Sequence, residues 1–264
     1  MSATLNATPT PDAKPAKNET VEVIKTVFWA LVIALFLRVL LFQPYTIPSA
    51  SMEPNLYEGD YIVVTKFSYG WSHVSIPFSP PIFSGRIFAK PPQRGDIAVF
   101  KTPAGKHLDL IKRVIGLPGD RIQMRQGLLY INDKQVPRTP LGTVKEDIGE
   151  GYVRDVARFR ETLPNGKSYV TNDFGTDGQL DNTDVYLVPA GHYFMMGDNR
   201  DNSTDSREQS PRYGVGYVPY ENLVGRAEII FFSAAVDDPN AFRLTSPWTW
   251  PFDIRWGRIF SLVR

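Results

Sequence analysis

Apolar residues are unevenly spread along the chain. From Ile24 to Phe42 they occupy every helical face, as Ile24-Lys25-Thr26-Val27-Phe28-Trp29-Ala30-Leu31-Val32-Ile33-Ala34-Leu35-Phe36-Leu37-Arg38-Val39-Leu40-Leu41-Phe42. A helix of that length spans roughly 30 Å, the hydrocarbon thickness of a bilayer. A buried core helix is rarely greasy all round. A cleaved leader has a shorter apolar core, about 7–15 residues. The pattern therefore predicts one uncleaved transmembrane anchor over 23–42, with Arg38 close enough to an end to snorkel. Residues 1–22 are polar and read as a disordered tail. Lys14, Lys17 and Lys25 precede or open the span, and no Lys or Arg occurs between Arg38 and Lys66. The positive-inside rule then puts the tail in the cytoplasm and 43–264 across the membrane.

Beyond the anchor the period shortens to that of strands. Strands are predicted at 60–66, 95–101, 108–115, 122–124, 128–131, 135–136, 186–188, 193–196 and 227–232. Leu117-Pro118-Gly119-Asp120, Gln126-Gly127 and Asn132-Asp133 read as turns. Residues 68–93 are rich in Pro, Ser and Gly and read as a long excursion. Residues 138–184 are polar and read as an irregular insertion. The predicted fold is mainly β: an N-terminal transmembrane helix, then an antiparallel β-sheet domain with a smaller β-rich insertion. The end of the chain, 236–264, mixes Trp248, Trp250 and Trp256 with Arg255 and Arg258. That mixture fits a bilayer interface and fits an ordinary packed segment; both readings stay open.

Composition narrows the function. The 264 residues allow one large domain or two small ones after an anchor. A net charge of +1 gives no electrostatic case for nucleic acid. With no cysteine, disulfides, thiolate metal sites and a cysteine nucleophile are excluded. The 22 prolines and 20 glycines suit a turn-rich β body.

Few residues offer chemistry. His73, His107 and His192 have no metal-ligand spacing. His107 is the best placed for a Ser-His-Asp arrangement, although a loop histidine is ordinarily just solvated. The stretch Gly197 to Arg207 is dense in Asp and Asn, but read as a calcium loop from Asp201 it has Ser206 where glycine is needed and Arg212 where glutamate is needed. By itself it is a loop capped by its own side chains. In Leu110-Ile111-Lys112-Arg113-Val114-Ile115-Gly116, strand alternation sends Lys112 and Arg113 to opposite faces. An edge strand with two snorkelling cations would look the same. The functional alternative uses the fact that lysine, unlike arginine, can lose its proton among apolar neighbours.

Four segments occur in order behind the anchor: Pro48-Ser49-Ala50-Ser51-Met52-Glu53-Pro54 with Gly59-Asp60; Arg94-Gly95-Asp96-Ile97; Lys112-Arg113-Val114-Ile115-Gly116-Leu117-Pro118-Gly119-Asp120; and Gly197-Asp198-Asn199-Arg200-Asp201-Asn202-Ser203-Thr204-Asp205-Ser206-Arg207. Together they closely resemble the bacterial type I signal peptidases, from the anchor to about Phe232. The resemblance implies a serine endopeptidase with Ser51 as nucleophile and Lys112 as general base. Ser49 would help form the oxyanion hole beside the Ser51 amide, and Ser203 would orient the lysine. Asp205 and Arg207 would shape the last loop. Ile47, Met52, Leu56, Ile62, Val99 and Ile111 would line pockets for small substrate side chains. Relatives often have Gly where Ala50 stands, and many carry two membrane helices where this chain shows one.

These implications fix the remaining expectations. The catalytic β core would span 43–122 and 185–235, with 123–184 inserted. No metal or cofactor is expected. The partners would be signal peptides of secreted preproteins and the lipid bilayer, not nucleic acid, for a monomer working near the secretion translocon in the inner membrane. A short proline-stiffened link, 43–51, would keep the nucleophile at the height where a membrane-embedded signal peptide emerges. The rival readings are a non-enzymatic anchored β domain and a hydrolase using His107.

Overall fold

A computed structural model describes residues 19–77, 79–103, 108–147, 153–210, 214–238, 241–242 and 245–263. His107 and most of the predicted tail therefore lie outside the described residues. The chain divides into two compact units, Met1–Arg38 and Val39–Arg264.

In the first unit a single helix, α1 (Glu19–Leu40), is the whole of the described structure up to Arg38, and none of its side chains is buried. Glu19 and Glu22 in its first turn and Arg38 in its last complement the helix dipole. At about 1.5 Å per residue it is long enough, and apolar enough, to cross a bilayer. The helix begins earlier than predicted, so 19–22 are not tail. It also stops at Leu40, because Phe42 already pairs with Thr65 in a strand and Pro44 follows.

In the second unit the body is built on one antiparallel sheet. Its strands are β1 (Phe42–Thr46), β2 (Asp60–Thr65), β3 (Ile97–Lys101), β4 (Asp109–Gly116), β12 (His192–Met196), β13 (Val218–Pro219), β14 (Leu223–Ser233) and β15 (Ser261–Leu262), in the order β1-β2-β14-β3-β4-β12-β13 with β15 added to β14. The long β14 slips register against both β2 and β3, which curls the sheet. Gly225 permits the close crossing, since a Cβ there would overlap the Thr65 carbonyl oxygen. The fold is mainly β, as expected.

Between β4 and β12 the chain makes two smaller sheets. One has the order β11-β5-β6-β7, from β5 (Arg121–Arg125), β6 (Leu128–Ile131), β7 (Lys134–Gln135) and β11 (Tyr186–Leu187). The other has the order β10-β9-β8, from β8 (Arg138–Asp147), β9 (Val153–Thr162) and β10 (Ser168–Asp173). The second sheet corrects the expectation of an irregular segment after residue 138. Its strands are polar because their charges pair across the ladder, as in Arg158 with Glu146 at 2.6 Å and Lys145 with Asp155 at 3.0 Å. Among its described residues the excursion 68–93 has no regular strand, and half-buried Arg86 ties it down through the carbonyls of Gly70 (2.7 Å), Tyr220 (2.8 Å) and Leu223.

Three hydrophobic clusters hold the body. One joins Ile47, Met52, Leu56, Ile62, Val64 and Val99 with their neighbours. A second joins β5, β6 and β12 to Leu163, just after β9, and Tyr169 of β10. A third packs Tyr69, Phe100, Val114 and Met195.

Candidate active site

The first of the four sequence segments leaves β1 and turns sharply. Ile47 continues the β1–β2 pairing, its N–H donating to the Asp60 carbonyl (2.8 Å) and its carbonyl accepting from Gly59 (3.0 Å). Ser49 is extended, and Ala50–Met52 form one 3-10 turn. Met52 is fully buried, and its carbonyl accepts the N–H groups of Asn55 and Leu56, both at 3.0 Å. This plug fixes the turn, leaving Ser51 only 8% exposed and its Oγ 3.3 Å from the more exposed Ser49 Oγ.

Lys112 reaches this turn from β4. It is 3% exposed, and its Nζ is hydrogen bonded to Ser51 Oγ. Burial lowers its pKa from 10.5 to about 8; Asp205 and Asp198 oppose that shift and Arg207 assists it. Arg113 points to the other face, where Asp198 receives its fork at 2.7 Å through both nitrogens, Gly95 O accepts at 2.9 Å, and Tyr169 stacks 4.1 Å from the guanidinium. The two cations thus differ in partner: Arg113 has a carboxylate, Lys112 a hydroxyl. β12 pairs only with Arg113, Val114 and Gly116 of β4, and among the described residues no strand pairs with Asp109–Lys112 on that side.

The loop after β12 closes the site from a third direction. Asn199 takes both carbonyls of the serine turn, its N–H donating to Ser51 O and its Nδ2 to Ala50 O, each at 3.2 Å. Asp205 and Arg207 form a fully buried ion pair at 2.9 Å. Burial alone would raise the Asp205 pKa, but the Arg207 charge and hydrogen bonds from Arg207 and Gly197 hold it below the ordinary value. Ser203 Oγ donates to Asp205 Oδ2 at 2.9 Å. No hydrogen bond joins Ser203 to Lys112 among the described residues, yet Ser203 lies beside the pair: a Cβ on Gly197 would overlap both Ser203 Oγ and the Ser51 carbonyl oxygen.

The structure therefore brings Ser49, Ser51, Lys112, Ser203, Asp205 and Arg207 to one place. The apolar set also converges, with Ile47, Met52, Leu56, Ile62 and Val99 at 3% exposure or less and Ile111 packed at their margin. Sequence reading assigned no role to Asn55, Asn199 or Gly197. Gly197 and Asn199 sit inside the last segment, so the signal was present but its use was not. His192 Nδ1 contacts Ala190 O at 3.0 Å, and among the described residues neither it nor His73 bonds to a serine of the site.

Such an arrangement, a buried amine on a serine hydroxyl beside an open strand edge, is chemically suited to acyl transfer. The family model for signal peptidases, peptidase S26, matches residues 20–232. The chain is 44% identical over 234 residues to signal peptidase I of Rickettsia canadensis (strain McKiel), covering 85% of each chain. It is 42% identical over 233 residues to signal peptidase I of Rickettsia akari (strain Hartford), covering 84% of each. A crystal structure of a signal peptidase I from Enterococcus faecalis V583 matches 52% of this chain and 97% of that one at 27% identity, with a TM-score of 0.30. By the span of the family-model match and the identity to the Rickettsia relatives, the chain belongs to the signal peptidase family, peptidase S26, and is a peptide-bond hydrolase.

Proposed function

We propose that this peptidase removes signal peptides from exported preproteins through an acyl-enzyme on Ser51, with Lys112 as general base. The observation that carries the reading is the hydrogen bond between Ser51 Oγ and a buried Lys112 whose pKa is lowered to about 8. In its neutral form the amine accepts the Ser51 proton as Oγ attacks the scissile carbonyl carbon. The Ser51 N–H and the Ser49 hydroxyl hold the resulting oxyanion; one such donor is commonly worth about 3 kcal/mol. The Lys112 ammonium then protonates the leaving amine, the mature protein departs, and Lys112 deprotonates the water that releases the signal peptide. With its proton committed to Asp205, Ser203 keeps its oxygen lone pairs for an N–H of Lys112. Asp205 and Arg207 hold that loop in shape.

The unpaired edge at Asp109–Lys112 supports docking of an extended substrate as an added strand. The residues behind it, Ile47, Met52, Leu56, Ile62, Val99 and Ile111, are nearly all core side chains, so their pockets are shallow and favour small residues at the positions one and three before the cut. We further propose that α1 anchors a monomer once across the inner membrane near the translocon. Its N-terminus would be cytoplasmic and its body periplasmic, a catalytic core over 43–122 and 185–235 carrying an inserted domain over 123–184. Incubating the purified protein with a preprotein should give one cut after a small-x-small sequence. Ser51→Ala and Lys112→Ala should each lower kcat by at least about 10⁴-fold with the fold retained. Full activity in either variant would refute the dyad.

A further inference from the structure

We propose that strand β10 of the polar inserted sheet is a positioning element for the Ser51 turn and that Asn172 is the residue through which it acts; the proposal rests on the reading of Ser51 as nucleophile. The turn Ala50–Met52 is short and needs its carbonyls held from outside. Asn199 holds those of Ala50 and Ser51, and Asn199 is in turn clasped by Asn172. The Asn172 N–H donates to Asp198 O (3.0 Å), and Asn172 O accepts from the Arg200 N–H (2.9 Å), a parallel bridge that fixes the residue between them. Asn172 is fully buried. Its Nδ2 donates to both Glu146 oxygens on β8, at 2.9 and 2.8 Å, and its Oδ1 accepts from Arg158 Nε on β9 at 3.2 Å. Arg158 also bridges to Glu146 at 2.6 Å. All three strands of the inserted sheet thus converge on one side chain whose backbone grips the loop that holds the serine.

Two neighbours on β10 repeat the pattern. Val170 O accepts from Asn55 Nδ2 at 2.7 Å, and the same nitrogen donates to Asp198 Oδ2 at 2.7 Å. Asn55 lies just beyond the serine turn and bonds back to Met52. Tyr169 stacks on Arg113, the residue after Lys112, while its hydroxyl donates to Glu161 (2.8 Å), which also takes the Arg200 fork at 2.9 and 2.6 Å. From 169 to 172, β10 therefore touches Asn55 just after the serine turn, Arg113 of the lysine strand and the loop that holds the turn's carbonyls. Acyl transfer tolerates little error in the approach of hydroxyl and amine, and a displacement of about 1 Å can cost on the order of 100-fold. The inserted sheet is thereby part of the reaction geometry, not only of the fold.

The pair Asn172–Glu146 can be reversed in polarity, and this supplies the test. In the full-length protein, Asn172→Asp sets two carboxylates against each other. It should lower kcat about 10- to 100-fold with KM within about two-fold, and slow the acylation of Ser51 by a penem in parallel. Adding Glu146→Gln restores an amide facing a carboxylate and keeps both acceptors of Arg158; it should return kcat to within about three-fold of the parent. An unchanged kcat in Asn172→Asp, or a folded double variant no faster than the single, would overturn the proposal. Should Asn172→Asp fail to fold, Asn55→Ala decides: a loss of at least about tenfold in kcat at constant KM supports the splint, and a parental kcat sinks it. Ser51→Ala run alongside separates the two readings, because cleavage surviving there would fault the nucleophile and not β10.

Discussion

Between Lys112 and Arg113, β4 buries two adjacent cations, and burial acts on them differently because their partners differ. Arg113 keeps its charge against Asp198, while Lys112 faces a hydroxyl, and desolvation brings its pKa down from 10.5 to about 8. At about 1.36 kcal/mol per unit, holding Lys112 charged in the folded state costs about 3 kcal/mol. That cost is what makes roughly one amine in ten neutral at pH 7, where an ordinary lysine offers about one in 2,500. A base must be unprotonated, so kcat/KM should rise nearly tenfold per pH unit below 8 and level off above it. A flat profile between pH 6 and 8, measured on one preprotein, would exclude Lys112 as the titrating group. Both residues were legible in the sequence, but through the order of four short segments. The alternation Leu110, Lys112, Val114 alone equally suited an edge strand. Asn55 and Asn172 were not legible, because their value comes from partners on other elements: Val170 and Asp198, more than a hundred residues from the first, and Glu146, Arg158, Asp198 and Arg200, brought to the second by separate strands and a loop.

At the scale of elements, the loop 197–207 is held less by its own turns than by what it packs against. Gly197 illustrates this: its backbone does not need glycine, but a Cβ there would overlap both Ser203 Oγ and the Ser51 carbonyl oxygen. Gly197→Ala must push one of them aside. We expect a loss of about 100-fold in kcat with the far-UV circular dichroism of the parent, since the clash falls on the reacting turn and not on a sheet; parental activity would show that the turn gives way freely. Elements with local signals were readable in advance. The hairpin turns Gln126-Gly127 and Asn132-Asp133 all adopt positive φ, at 49°, 72°, 53° and 62°, which Gly127, Asn132 and Asp133 tolerate and Gln126 adopts less readily. β1 was not readable, because Pro44 interrupts five residues that follow directly on the apolar run; on an edge strand its missing N–H is harmless. β8 to β10 escaped for the opposite reason: charged residues that suggest a loop are spent in cross-strand pairs.

At the scale of the molecule, the last segment of the body bears on how a membrane-tethered enzyme would meet a membrane-embedded substrate. The tail's cations turn inward. Arg258 donates to Asp60 (2.5 Å) and Asn55 O (2.9 Å), and Arg255 to Glu58 O (2.7 Å), Ala234 O (3.0 Å) and Asp237. Its aromatics turn outward: Trp248 is 71% exposed, Phe252 85%, Trp256 64% and Phe260 78%. Ordinary packing would bury the rings and solvate the guanidinium groups, so this inversion favours the interfacial reading. A helix tethers a body without orienting it, whereas aromatic side chains at the headgroup level also restrict its tilt. Replacing Phe252 and Phe260 together by serine should therefore lower kcat/KM for a preprotein in phospholipid vesicles by about tenfold, or about 1.4 kcal/mol. Cleavage of a short soluble peptide in detergent should be unchanged, because the substituted side chains lie on the surface and line no part of the serine turn. Equal losses in both assays would mean that the rings support the fold, and no loss in either would leave the bilayer without a part in positioning the body.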